Sequence, residues 1–158
     1  MQFKLLLPHK FKKAGWLILL PATLLAIIQV FTGFEGIQLE AKTFALYYSD
    51  FFAEDQFFAL IQTNIANTLI GILFIIGAML VGFSREKNED EFIASLRLSS
   101  LLWAVLANYS LLLLAFAFIY GTAFLNVMLY NMFTVLIIFI VRFNYVLYKN
   151  AKSVTDEK

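Results

Sequence analysis

The side chains that could do chemistry are concentrated in one stretch, "GFSREKNEDEFIASLRLSSLLW", which covers residues 82–103. Four carboxylates lie close together there, at Glu86, Glu89, Asp90 and Glu91. Carboxylate oxygens are ligands that hard cations prefer, but this spacing matches no known calcium or magnesium loop. We therefore expect no metal site in this stretch.

The rest of the sequence carries no recognisable catalytic set. It has no cysteine and a single histidine, His9. It contains no Gly-rich phosphate loop, and no segment groups a nucleophile, a base and an orienting residue. A net charge of +1 offers no strongly basic surface for nucleic acid. The sequence thus predicts a protein that is not an enzyme, holds no cofactor and does not bind nucleic acid.

The segments that must position these residues are long and apolar. Hydrophobic residues make up 61% of the chain and charged residues 15%, whereas soluble domains are about half apolar and about a quarter charged. A run of about 20 apolar residues crosses a bilayer as a helix, because a helix satisfies its own backbone in lipid. We predict an all-α integral membrane four-helix bundle with up-down-up-down topology. It forms a single domain, 1–158, with spans at about 14–33, 59–83, 97–120 and 123–146.

The distribution of positive charge predicts an orientation. Of the twelve Lys and Arg residues, only Lys42 lies in the loop 34–58 between the first two spans. Short segments rich in Lys and Arg stay in the cytoplasm, so both termini and the turn 84–96 are predicted to be cytoplasmic. The loop 34–58 is then outside, and its pattern fits either a short interfacial helix or a small hairpin.

The charged stretch opens the third predicted span. Asn88 followed by Glu91 fits a capping box with the helix starting at Glu89. Acids in the first turn stabilise the helix dipole, and Arg97 is placed to reach the headgroups. One interpretation is a solvated helix start. The other is a face that docks a cytoplasmic protein partner through Glu89, Asp90, Glu91 and Arg97.

Amide side chains lie inside the predicted spans at Gln29, Asn67 and Asn131. A rise of about 1.5 Å per residue puts all three in the outer half of the membrane, where we expect them to be able to meet. One interpretation is hydrogen bonding between helices. The other is a small ligand-binding pocket open to the outside.

Small and amide residues recur along one face of two spans. Such residues let helix backbones approach closely and hydrogen-bond across the contact. We therefore predict that both stripes face protein rather than lipid. They comprise Asn64, Asn67, Thr68, Gly71, Ile75, Ala78 and Gly82 in the second span, and Ser100, Ala104, Asn108, Leu111 and Ala115 in the third.

Three blocks carry a resemblance: "PHKFKKAGWLILLPA", "EDEFIASLRLSSLLWAVLANY" and "FLNVMLYNMFTVLIIFIVRFNYVLY". On these blocks the chain resembles, over most of its length, a group of small four-span membrane proteins of Bacteroidota-type bacteria. The resemblance implies a multi-pass protein of the bacterial inner membrane. It implies no activity and assigns no site residue.

Two functions remain open from the sequence. The first is a non-enzymatic membrane protein that acts as a regulatory or interaction subunit. The alternative is a small transporter or channel component. Because four helices enclose only a thin pore, the alternative would need several copies of the chain.

Overall fold

The computed structural model describes residues 6–32, 36–48, 56–87 and 89–156, and these are mostly helical. The helices are α1 (Lys10–Phe31), α2 (Ala66–Phe83), α3 (Glu91–Phe118) and α4 (Thr122–Asp156), and the strands are β1 (Glu40–Tyr48) and β2 (Gln56–Asn64). All four helices are long and apolar enough to cross a membrane. This confirms the predicted set of four membrane-length helices.

The two strands correct the prediction of an all-α protein. Residues 56–64, partly assigned to the second span, pair antiparallel with β1 in a continuous register from Glu40 opposite Asn64 to Tyr48 opposite Gln56. Helix α2 begins only at Ala66. Just before it, Asn64 Oδ1 accepts a hydrogen bond from the Ala66 N–H (3.0 Å), which satisfies one of the free donors at the start of the helix. Of the two alternatives for the outer loop, the described residues form the hairpin.

Side chains alternate along the hairpin as expected for a two-sided ribbon. In β1, Ala41, Thr43 and Ala45 are half-buried while the residues between them are exposed. Phe58 adopts a positive φ of 53°, where a bulky side chain is strained. Phe58 lies between two paired positions, Ala45 opposite Ala59 and Tyr47 opposite Phe57.

Distances between Cα atoms divide the chain into two compact units. We call Ile18–Phe74 the hairpin unit, and the described residues up to Leu17 and from Ile75 onwards the helical unit. The buried apolar residues of the hairpin unit are Leu19, Ala22, Ala66, Ile70 and Phe74. Those of the helical unit include Ala78, Val81, Ala104, Phe139 and Phe143.

In the helical unit, α3 and α4 pack as an antiparallel pair. The turn between them needs Gly121, whose φ is +72°. The predicted stripe on α3 is confirmed for its small and amide members, since Ser100, Ala104, Asn108 and Ala115 are buried. Leu111 is 54% exposed and lies off this stripe. Between Asn108 and Ala115 the stripe passes through Leu112, which is half-buried.

The predicted stripe on α2 is correct only in its second half. Ala78 and Gly82 are buried, whereas Asn67 and Thr68 are exposed. The buried face in the first turns runs instead through Ala66, Ile70 and Phe74. Because a helical face recurs every three to four residues, the predicted stripe is one residue off the buried face in the first turns and joins that face at Ala78.

Glycines in the helical unit allow close packing at two points. A Cβ on Gly15 would lie 2.8 Å from the Val81 backbone nitrogen, and a Cβ on Gly82 would lie 2.6 Å from the ring of Phe139. Both separations are far below van der Waals contact. The absence of a side chain therefore sets how near these segments lie.

Most of the apolar surface of the helices is not covered by protein. Between 11% and 39% of the residues in the most apolar window of each helix are buried. Soluble monomers rarely expose continuous apolar surface on this scale. The exposed Leu, Ile and Phe side chains therefore fit a hydrocarbon surrounding.

Candidate functional site

The N-terminal segment is tied to the end of α2. The Leu7 N–H donates to the Phe83 carbonyl oxygen (3.0 Å), and the Arg85 N–H donates to the Leu7 carbonyl oxygen (2.9 Å). This is a single parallel β-bridge between Leu7 and Ser84. His9 adds a contact of 3.0 Å between its Nδ1 and the Arg85 carbonyl oxygen, for which the Nδ1 must carry the proton.

Arg97 lies at the centre of what we call the charged cluster, formed by Lys12, Ser84, Glu86, Glu89 and Arg97. Its side chain is buried, with the residue 7% exposed. Nη1 donates to Glu89 Oε1 (2.7 Å), and Nη2 donates to Glu89 Oε2 (3.2 Å) and to the Ser84 carbonyl oxygen (3.1 Å). This two-pronged geometry fixes the guanidinium against both the carboxylate and the end of α2.

A second ion pair joins the N-terminal segment to the same cluster. Lys12 Nζ contacts Glu86 Oε1, and both side chains are largely buried. The Glu86 N–H in turn donates to Glu89 Oε2 (2.7 Å), so the two acids are linked. Lys12 Nζ and Arg97 Cζ lie 5.9 Å and 5.1 Å from the centre of the Phe143 ring, which places α4 against the cluster.

Helix α3 begins two residues later than the capping box predicts. Its N-cap is Asp90, whose Oδ1 accepts from the Ile93 N–H (2.8 Å), and its first residue is Glu91. Asn88 lies outside the described residues. Capping by Asp90 leaves the Glu89 carboxylate outside the helix, where it bonds to Arg97.

The four residues predicted to dock a partner therefore divide into two kinds. Glu89 and Arg97 are hydrogen-bonded to each other, whereas Asp90 and Glu91 are exposed. The described residues contain no group of three or more side chains able to hold a metal ion. The carboxylates of Glu86 and Glu89 accept from cationic side chains instead.

In the hairpin unit, amide side chains hold the base of the hairpin. Gln29 is 2% exposed, and its Nε2 donates to Asn67 Oδ1 (2.6 Å). Its Oε1 accepts from the Ile37 N–H (2.9 Å), while its Nε2 also lies 3.4 Å from the Ile37 carbonyl oxygen. Asn64 donates to that same carbonyl (3.2 Å) and accepts from the Leu39 N–H (3.0 Å).

In the helical unit, Asn131 pairs with Asn108. Each amide donates to the other over 3.2 Å, which forms a closed pair across α3 and α4. Of the three amides predicted to meet, Gln29 and Asn67 are thus joined within the hairpin unit, and Asn131 bonds within the helical unit.

Several of these partners were not predicted as site residues: Lys12, Asn64, Ser84, Glu86 and Asn108. Asn108 could have been found from its place in the buried stripe of α3, opposite Asn131 across a short turn. The Ser84 carbonyl could not, because a backbone acceptor leaves no mark in the sequence.

No protein-family model matches the chain, and no curated protein or solved structure shows significant similarity to it. What the protein does therefore has to follow from its own side-chain contacts.

Proposed function

We propose that this is a non-enzymatic integral membrane protein that acts as a regulatory or interaction subunit of the bacterial inner membrane. In this proposal both termini and the charged cluster lie in the cytoplasm, as the positive-inside rule favours. The observation that carries the proposal is the set of contacts made by residues 84–87, 89 and 90, the described part of the charged turn. Internal ion pairs and backbone bonds hold this turn in one conformation.

An ordered turn has a consequence for binding. Association is weakened by the entropy lost when a flexible loop becomes fixed, and a loop that is already fixed avoids that loss. The buried pairs Lys12–Glu86 and Arg97–Glu89 fix this turn during folding. The charges that remain at its surface are then available to a partner.

The surface that we propose for docking consists of Arg85, Lys87, Asp90, Glu91 and Phe92, all of which are exposed. It combines both signs of charge with one large aromatic ring. Opposite charges can select a complementary partner, and a central aromatic residue commonly supplies much of the binding energy. This composition supports a protein partner with a mixed-charge surface.

Cross-linking in native membranes tests the proposal. A photo-reactive amino acid at Phe92 should give one discrete protein adduct, because this ring lies within the proposed surface. Reversing two exposed charges, with Lys87→Glu and Glu91→Lys, should remove the adduct without changing expression. The same photo-reactive group at Phe118, exposed at the other end of α3, is the matched control and should not give it.

The proposal fails if Phe92 gives no adduct in membranes from the native host, or if the charge reversal leaves the adduct unchanged. The orientation has its own test, since a tag at either terminus should be inaccessible from outside intact cells. Labelling of such a tag from outside would contradict the cytoplasmic placement of the charged cluster.

The alternative, a small transporter or channel component, depends on the amides. Gln29, Asn67, Asn108 and Asn131 are each hydrogen-bonded to protein. This supports a role in holding helices and hairpin together. Flux through liposomes that falls specifically with Asn67→Leu and Asn131→Leu would favour transport instead.

A further inference from the structure

Three cations lie at one level of the helical unit, but only two acids neutralise them. Lys12 and Arg97 both approach the ring of Phe143, and Arg142 is the adjacent residue on α4. Lys12 pairs with Glu86, and Arg97 pairs with Glu89. Arg142 has no acidic partner among the described residues.

The surroundings of Arg142 make this missing partner significant. The residue is half-buried, and its Nε is buried without a hydrogen-bond partner among the described residues. The guanidinium lies 4.6 Å from the centre of the Trp103 ring. An aromatic face attracts a cation but does not neutralise it, so the site lacks an anion.

Helix lengths place Arg142 at a membrane boundary. The candidate span of α4 begins at Ala123, and at about 1.5 Å per residue Arg142 lies about 29 Å further along the helix. The hydrocarbon core of a bilayer is about 30 Å thick. If Ala123 enters lipid at one surface, Arg142 reaches the phosphate region of the other.

The same tryptophan lines a shallow open groove on α3. It has a volume of about 310 Å³ and is lined by Ser95, Leu98, Ser99, Leu102, Trp103 and Leu106. Ser95 and Ser99 lie in its N-terminal half together with Leu98, whereas its C-terminal half is lined only by Leu102, Trp103 and Leu106. The groove therefore changes from polar to apolar along its length, as a lipid does from headgroup to acyl chain.

We propose that Arg142, Trp103 and this groove bind one anionic phospholipid. The phosphate pairs with Arg142 and with the hydroxyls of Ser95 and Ser99, while an acyl chain lies along the leucines. A free phosphate would leave the apolar half of the groove empty, and a zwitterionic lipid brings no net charge to offset the arginine. The inference rests on the membrane location in the proposed function. In the orientation proposed there, the lipid belongs to the cytoplasmic leaflet.

Trp103 provides a direct readout. The chain has two tryptophans, so Trp16→Phe leaves Trp103 as the only one. This variant is placed in phosphatidylcholine vesicles that contain, at equal mole fraction, either phosphatidylglycerol or phosphatidylcholine with brominated acyl chains, which quench tryptophan. The anionic lipid should be enriched beside Trp103 by about fivefold, the size expected for one arginine near anionic lipid.

Two variants in this background assign the effect. Arg142→Gln should abolish the enrichment, whereas Lys149→Gln, which removes an exposed charge from the same helix, should retain it. Inorganic phosphate added to the vesicles should not compete, because it lacks the acyl chain. Competition by phosphate would identify a phosphate-ion site and overturn the lipid assignment.

Equal quenching by the two brominated lipids would overturn the proposal without any substitution at Arg142. So would enrichment that survives in Arg142→Gln. If either result is obtained while the cross-link at Phe92 is still formed, the lipid proposal is wrong and the docking proposal still stands. If the cross-link is absent while the lipid enrichment is still observed, the docking proposal is wrong and the lipid proposal still stands.

Discussion

Removing Glu89 from its ion pair with Arg97 should lower the free energy of unfolding of the helical unit more than removing Arg97 does. The Arg97 side chain is 9% exposed and the Glu89 side chain 20%. Glu89→Gln leaves an enclosed guanidinium without a counter-charge, whose remaining acceptors are the Ser84 carbonyl oxygen and the one amide oxygen of the new side chain. Breaking a buried pair in this way costs about 3–5 kcal/mol of the free energy of unfolding.

Removing the cation should cost less. Arg97→Met fills a similar volume and leaves a carboxylate that is partly hydrated and still accepts from the Glu86 N–H. We expect a loss of about 1–3 kcal/mol, the range for a buried acceptor that loses a partner. The double variant, Glu89→Gln with Arg97→Met, leaves neither charge of this pair without its partner and should be more stable than Glu89→Gln alone.

Reversible unfolding in mixed micelles measures these differences. Trp16 and Trp103 both lie in the helical unit, so their fluorescence follows its unfolding. Arg85→Gln, at an exposed position, is the control and should stay within about 0.5 kcal/mol of the native chain. The reasoning is refuted if the losses in the two single variants simply add in the double variant, since an isolated contribution from each residue would then explain the data.

Three other contacts give predictions of the same kind. Gly82→Ala places a Cβ 2.6 Å from the fully buried ring of Phe139 and should cost about 1–3 kcal/mol of unfolding free energy in the same micelle assay. Asn108→Leu or Asn131→Leu alone should destabilise the protein by about 1–2 kcal/mol because one amide is orphaned; the double substitution should recover most of that loss, and a fully additive result would contradict a reciprocal pair. Gln29→Leu removes the bonds that hold the backbone leading into β1, so amide hydrogen exchange there should accelerate while exchange in α3 stays unchanged; equal acceleration in both would indicate general unfolding instead.

The membrane-length helices were predictable because their signal is large and local. Each is a long run of apolar residues, and no tertiary contact is needed to recognise it. The buried stripe of α3 was predictable for the same reason, since Ser100, Ala104 and Asn108 interrupt an otherwise large-residue surface at a helical interval. Local chemistry and periodicity were sufficient there.

The start of α2 was not predictable from hydropathy. Residues 56–64 are apolar enough to be read as the N-terminal part of the second span. A short apolar run of this kind fits a strand and a helix equally well. Asn64 separates the strand from the helix, because its side chain accepts from the Ala66 N–H at the start of α2 and from the Leu39 N–H in the preceding segment. That contact joins residues 25 positions apart, so it is invisible to a window that slides along the sequence.

The charged stretch shows a further limit. Asp90 and Asn88 are both good N-cap residues, and sequence alone ranks them about equally. What distinguishes them is the position of Glu89, which must stay outside the helix to reach Arg97. The choice of cap is therefore coupled to a contact eight residues further along the chain.

The charges of the helical unit fall into three classes, according to what neutralises each charge. Substitutions in each class should change a different measured property. Arg97 and Glu89 neutralise each other within the chain, so their loss should lower stability. Lys87 and Glu91 are exposed to solvent, so reversing them should leave stability unchanged and affect only binding of a partner. Arg142 is half-buried and has no acidic partner among the described residues, and the anionic lipid proposed above would supply its counter-charge, so its loss should affect lipid enrichment. A single variant that altered all three readouts together would mean that these charges act as one network, and that burial and pairing do not distinguish their roles.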